Sequence, residues 1–206
     1  PEDWPDDKHV TGYWFLEGDA LWEPPRDLVS FLKAGTPPVC VGLGSTVTRD
    51  REKVSRIVLE ALEISGQRGV IAGTGLAIQE GPETVFHAGY VPYSWLFPRA
   101  GIVVHHGGAG TTGKVLRAGT PNVVVPFTSD QPFWARRVYD LGAGPEPIPA
   151  SRLAAKNLAK AIVEATENHE MRRRAEQVGE RIRAEDGVGE AVRLVSQYIG
   201  QRHAER

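Results

Sequence analysis

Four glycines fall within seven residues at Gly107, Gly108, Gly110 and Gly113, directly after the pair His105-His106 and interleaved with Ala109, Thr111 and Thr112. Residues of these types at this spacing suit an anion. Glycine lets the backbone approach a ligand closely and adopt positive φ. The unpaired N–H groups of a helix's first turn, together with the helix dipole, favour phosphate. Hydroxyls on Thr111 and Thr112 add donors, and His106 adds one more. A diphosphate is the natural occupant. Further along, Asp130 and Gln131 stand side by side. A carboxylate beside a carboxamide can accept from and donate to neighbouring sugar hydroxyls. The same pair could instead cap a helix that Pro132 begins.

His105 and His106 also carry two readings, as histidines packed at a strand end or as ligand contacts. Strand alternation sends them to opposite faces, and His106 is the stronger candidate for contact. His9, His87, His169 and His203 have no such setting and read as structural or solvated. None of the histidines is spaced with Cys or carboxylates as a metal site needs, so no metal is expected. Gly108-x-Gly110-x-x-Gly113 matches the dinucleotide fingerprint between a strand and a helix. Against NAD or flavin, the unit lies late in the chain, and Asp130 follows Pro126-Phe-Thr-Ser129 rather than the tip of a second strand. A Walker loop is excluded, because Lys114 is not followed by Ser or Thr. Tyr90, ahead of Val91-Pro92, could stack on a base or pack, and Trp95 and Trp134 read as core aromatics.

The elements that must position these residues follow from pattern. Ile102 to Val104 is a β-branched run suited to a buried parallel strand. A helix carrying Thr111, Thr112, Val115 and Leu116 follows and stops at Gly119, with Pro121 just beyond. Asn122 to Val125 is the next strand. Upstream, Val39 to Leu43 is a buried strand whose loop holds Gly42, Gly44, Ser45 and Thr46. A helix over Asp50 to Ser65 puts Val54, Ile57, Val58, Ala61 and Leu62 on one face. Gly69 to Ala72 and Thr84 to His87 read as strands, and Tyr93 to Phe97 as one helical turn. A helix through Trp134, Val138 and Leu141 ends at Gly142. Ser151 reads as the N-cap of a helix running to near Thr166, and helices near 168–185 and 188–199 finish the chain.

This alternation implies an α/β, Rossmann-like open parallel sheet with helices on both faces. In such sheets ligands bind beyond the carboxyl ends of the strands, where the winding reverses. The loops at Gly44-Ser45, Tyr90-Val91, His106 to Gly110 and Asp130-Gln131 all fall at such ends.

Composition sets the outer bounds. Of 206 residues 41% are hydrophobic and 24% charged, as in ordinary globular chains. A formal net charge of −2 argues against nucleic-acid binding, so an anionic ligand must be held by local geometry. Around Arg172-Arg-Arg174 the acids Glu170, Glu176, Glu180 and Glu185 interleave, which reads as a solvated helix face. The single Cys40 permits no disulfide within the chain and fits a reducing compartment, so a cytoplasmic location is expected. No apolar run approaches membrane-spanning length, and no signal-peptide pattern is present. Residues 1–38, rich in proline and aromatics, read as a linker from an upstream domain, 39–200 as the binding domain and 201–206 as a tail. The first residue, Pro1, reads as the start of a fragment.

His106-Gly-Gly-Ala-Gly-Thr-Thr112, Ala118-Gly-Thr-Pro121, Pro126 and Asp130-Gln131 resemble the donor-binding block of GT-B nucleotide-sugar glycosyltransferases of the family-1 type. That family includes bacterial sterol-, macrolide- and glycopeptide-modifying enzymes and plant natural-product glucosyltransferases. Val10-Thr-Gly-Tyr-Trp-Phe15 and Trp95-Leu-Phe-Pro98 look like the bacterial sterol-glucosyltransferase branch. The resemblance implies the donor half of an inverting, metal-independent hexosyltransferase that uses a UDP- or TDP-sugar. By it, His106 and the amides and hydroxyls of Gly108, Ala109, Gly110, Thr111 and Thr112 hold the diphosphate, with His106 stabilising the leaving group. Gly44 and Ser45 reach the phosphates from the first loop. Tyr90 and Val91 face the base, and Asp130 and Gln131 take the hexose hydroxyls. Plant relatives usually have Trp at Tyr90 and a ribose-binding Glu at Lys114, so the ribose contact is unassigned. The general base belongs to an N-terminal acceptor domain that these residues do not include. The chain is therefore expected to bind donor and transfer poorly alone; a non-catalytic nucleotide-sugar module is the alternative.

Overall fold

The structure is a computed structural model that describes residue 5 and residues 7–16, 21–44, 50–73, 75–78 and 81–204. Its frame is a five-stranded, wholly parallel sheet. The strands are β1 (Val39–Gly42), β2 (Gly69–Ala72), β3 (Val85–Gly89), β4 (Ile102–His105) and β5 (Asn122–Val124). They lie in the order β3-β2-β1-β4-β5. β1 is paired with β4 from Val39↔Ile102 to Gly42↔His105, so the winding reverses between these two strands. All residues of β1, β2, β4 and β5 are buried, as their unbroken apolar runs require of a sheet covered on both faces.

Among the described residues eight α-helices accompany the sheet: α1 (Arg26–Lys33), α2 (Arg51–Ser65), α3 (Tyr93–Leu96), α4 (Ala109–Ala118), α5 (Gln131–Asp140), α6 (Ala155–Glu167), α7 (His169–Ala184) and α8 (Gly187–Ala204). Strand alternation divides the core. Val39, Val41, Ile71, Ile102 and Val104 face α2 and α6 through Val54, Val58, Leu62, Leu158 and Ile162. Cys40, Val70 and Val103 face the other way, toward Leu28 of α1, Leu96 of α3 and Val115 of α4. The stretch read as a leading segment thus places Leu28 in the core, where it is fully buried.

Local chemistry sets the helix ends. α2 closes on Gly66 at φ 64° and α4 on Gly119 at φ 72°, both left-handed caps. α7 starts at Asn168, whose Oδ1 accepts from the Met171 amide at 2.9 Å. Ser151 is not the N-cap expected of it. It lies in a 3₁₀ turn, Ala150–Arg152, and the helix begins three residues later. Asn157 reaches back to accept the Ala154 amide at 3.0 Å, so the bond that fixes this start comes from inside the first turn. Glu170 pairs with Arg173 and Arg174 within α7, as a solvated face would.

Beyond β5 the chain returns along the strand's outer side. Asn122 N–H donates to Ala143 O, Ile148 N–H to Val124 O and Ala150 N–H to Pro126 O, at 2.9 to 3.0 Å. Among the described residues no helix is long and apolar enough to cross a membrane.

Candidate functional site

The reversal between β1 and β4 brings the two glycine loops face to face. β1 runs out into Leu43 and Gly44 (φ 62°), and β4 into His106 and Gly107 (φ 85°). The His106 ring lies against both loops. A Cβ on Gly44 would come 3.0 Å from its Cε1, and one on Gly108 would come 2.5 Å from its Nε2. Only glycine permits that ring position at Gly108, a close approach of the kind that gives such loops their composition. His106 is half-buried, and its Nδ1 is enclosed without a hydrogen-bond partner among the described residues. Burial lowers its pKa, while the Gly42 carbonyl and the Asp130 carboxylate pull the other way. Burial favours the neutral ring, which carries a single N–H.

His105 points inward and is fully buried. Its Nδ1 accepts the Gly107 amide at 3.2 Å, which leaves Nε2 to donate to Asn122 Oδ1 at 3.0 Å. Asn122 Nδ2 in turn donates to Thr120 O at 2.8 Å. His105 therefore holds the glycine turn to β5, and burial depresses its pKa to about 4. Of the two readings open for this residue, the geometry gives the packed one.

α4 opens at Gly108 with no side chain capping it. A helix start leaves its first N–H groups without intrahelical acceptors, and here they open beside His106. Gly110 is exposed, and Ala109 and Thr111 are half-buried. Thr112 departs from expectation. It is fully buried, its amide bonds Gly108 O at 2.9 Å, and its Oγ1 is shut away without a partner among the described residues. The helical period explains it, since Thr112, Val115 and Leu116 share the face turned to the core. The hydroxyl expected at the ligand is an interior group.

On the far side of β3, Tyr90 is 76% exposed and Val91 buried, with Gly89 turning the chain at φ 54°. Ser45 lies outside the described residues. Asp130 and Gln131 begin α5 and sit next to the glycine turn after β4: a Cβ on Gly107 would lie 3.1 Å from Gln131 O. Asp130 does not cap the helix with its side chain. Gln131 is buried, and its Oε1 accepts from the amides of Phe127 at 2.8 Å and Thr128 at 3.2 Å. The uncapped helix start and the acid–amide pair thus lie side by side.

A protein-family model described as "Erythromycin biosynthesis protein CIII-like, C-terminal domain" matches residues 42–196. This chain belongs to that family. The EryCIII-like C-terminal domain is a domain of GT-B, family-1-type glycosyltransferases, so the resemblance to that family is borne out. The sterol 3-beta-glucosyltransferase UGT80A2 of Arabidopsis thaliana is 39% identical over 203 residues, covering 97% of this chain and 32% of that protein. The O-mycaminosyltylonolide 6-deoxyallosyltransferase of Streptomyces fradiae is 39% identical over 211 residues, covering 98% and 47%. The chain spans between a third and a half of the length of these relatives. Among solved structures, the kitacinnamycin glycotransferase superposes with a TM-score of 0.68 at 25% identity, over 88% of this chain and 47% of that one.

Two side chains of the EryCIII-like domain join the crevice without having been expected there. Trp134, read as a core aromatic, donates its indole Nε1–H to Asp130 Oδ2 at 2.8 Å. The signal was present in the spacing, since residues i and i+4 meet on one helix face. Tyr93 brings its hydroxyl to the carboxyl ends of β1 and β2, where a Cβ on Gly42 would lie 3.1 Å away. Only the strand order juxtaposes those ends.

Proposed function

We propose that this domain binds the donor of an inverting glycosyltransferase, a UDP- or TDP-hexose, for transfer to a hydroxyl of a lipophilic or natural-product acceptor. The observation that carries the proposal is the His106 ring seated between Gly44 and Gly108 at the sheet's switch point, beside the uncapped start of α4. Diphosphate oxygens fit that place. The amides from Gly108 to Thr111 and the His106 N–H would donate to them, and the Asp130–Gln131 pair would take the hexose hydroxyls. Tyr90 and Val91 would line the base. The sterol glucosyltransferase and macrolide deoxyallosyltransferase among the relatives support the acceptor class.

In the transfer itself the acceptor oxygen bonds to the anomeric carbon as the bond to the β-phosphate oxygen breaks. The negative charge that grows on the departing diphosphate meets the same N–H groups, which is where electrostatic stabilisation is largest. The acceptor's proton goes to a base in an N-terminal acceptor domain outside these residues. The domain alone is therefore a donor binder with little or no transferase activity, and no metal is needed for binding.

Calorimetric titration of this chain with UDP, UDP-glucose, TDP and NAD tests the proposal. UDP or TDP should bind, with unchanged affinity in EDTA, and His106→Ala should weaken both UDP and UDP-glucose by about tenfold or more, as loss of a charge-assisted bond implies. Preference for NAD, or an unchanged UDP affinity in His106→Ala, overturns it.

A further inference from the structure

We propose that Trp134 is a positioning residue for the donor's sugar, acting through Asp130; the inference rests on the donor-site reading above. The indole Nε1–H holds Asp130 Oδ2 at 2.8 Å across one turn of α5. One carboxylate oxygen is thereby fixed, and the other, Oδ1, is left to accept from a sugar hydroxyl.

The turn carrying this carboxylate is held on both flanks. Ser129, immediately before Asp130, is the one described non-glycine residue at positive φ, 57°. Such a conformation persists only where its surroundings impose it. Gln131, immediately after, ties its Oε1 to the amides of Phe127 and Thr128. The indole is braced in turn. It packs on Phe133 at 5.2 Å and on Tyr13 at 6.2 Å between ring centroids. Tyr13 is itself wedged at α4, where a Cβ on Gly113 would come 2.5 Å from its Cε1. The segment before α1 thus sets where the indole N–H points, and the indole sets where Asp130 points.

A carboxylate already held in its binding geometry loses less freedom when a ligand arrives. Among the described residues the indole's hydrogen bond goes to Asp130 and not to His106 or the start of α4. Removing the indole N–H should therefore reach the sugar and spare the nucleotide.

The test titrates this chain and its Trp134→Phe variant with UDP and with UDP-glucose. Wild type should hold UDP-glucose more tightly than UDP. The variant, which keeps a ring against Tyr13, should lose about five- to tenfold in UDP-glucose affinity and stay within about twofold for UDP. As a measurement that needs no variant, the assigned Trp134 indole N–H resonance should shift on adding UDP-glucose and stay put on adding UDP. Equal losses for both ligands, an unchanged UDP-glucose affinity, or an indole signal indifferent to the sugar overturns the inference. A wild-type chain that binds neither ligand overturns the donor-site reading itself, which separates the two failures.

Discussion

The Gln131 carboxamide is divided between two tasks. Its Oε1 is committed to the Phe127 and Thr128 amides, so only Nε2 remains to meet a ligand. On the proposed donor-site reading Gln131 donates to a sugar hydroxyl through Nε2, and accepting falls to Asp130. Replacing Gln131 by Ala takes away the acceptor of two backbone donors in a turn that runs from half-buried Phe127 to exposed Thr128. Denaturant unfolding should show a loss of about 1–3 kcal/mol, whereas Asp130→Ala, which strands only the partly exposed Trp134 N–H, should cost less; equal costs would count against the division. The sequence places the Asp–Gln pair at a strand's carboxyl end and suggests sugar chemistry for it. It is silent on the inward bonds, because a glutamine that folds back on its own turn has the same spelling as one that faces solvent. His105 is the same case: its neighbour His106 shares its residue type, and only the alternation of β4 separates anchor from candidate contact.

At the level of elements, the α4 start depends on a side chain from the preceding turn. A methyl on Gly108 would sit 2.5 Å from His106 Nε2. Gly108 itself has φ −63° and ψ 140°, which alanine adopts readily. Gly108→Ala should therefore retain the fold, with a small change in melting temperature, and displace the His106 ring, with UDP affinity falling by about tenfold or more. Calorimetry beside a thermal melt separates the two effects. Retained UDP binding would show that the ring position is dispensable. Elements with a strong period were legible from sequence: α4 ends where Gly119 predicts, and α2 ends at Ser65 as its period implies. Element starts were less so. Ser151 has the right chemistry for a cap, but Asn157 supplies the bond that fixes α6, and nothing local distinguishes the two before the chain is folded.

Across the whole molecule, the order β3-β2-β1-β4-β5 sets loops far apart in sequence along the carboxyl edge of one sheet. The parallel sheet and its loop ends were legible from the alternation of strands and helices, while contacts such as Tyr93 against Gly42 required the order itself. The buried His105 makes stability depend on acid. Its folded pKa, about 4 through burial, lies below the ordinary value of 6.5. The unfolded chain therefore takes up its proton first as pH falls. The stability His105 contributes is complete above about pH 6.5 and is lost progressively toward pH 4, up to about 3 kcal/mol. His106 and His87, also lowered by burial, act in the same direction. Urea midpoints should drop between pH 7 and pH 4.5, with a shallower slope in His105→Gln. A flat profile would contradict the buried neutral ring.

The strip that returns along β5 has a consequence for how copies of this chain meet. Ile148 and Ala150 spend their amides inward on Val124 and Pro126. The residues alternating with them, Pro147 and Pro149, have no amide hydrogen to offer outward. A foreign strand arriving at that flank finds no amide donor at Pro147 or Pro149, so this border of the sheet is a poor template for lateral growth into aggregates.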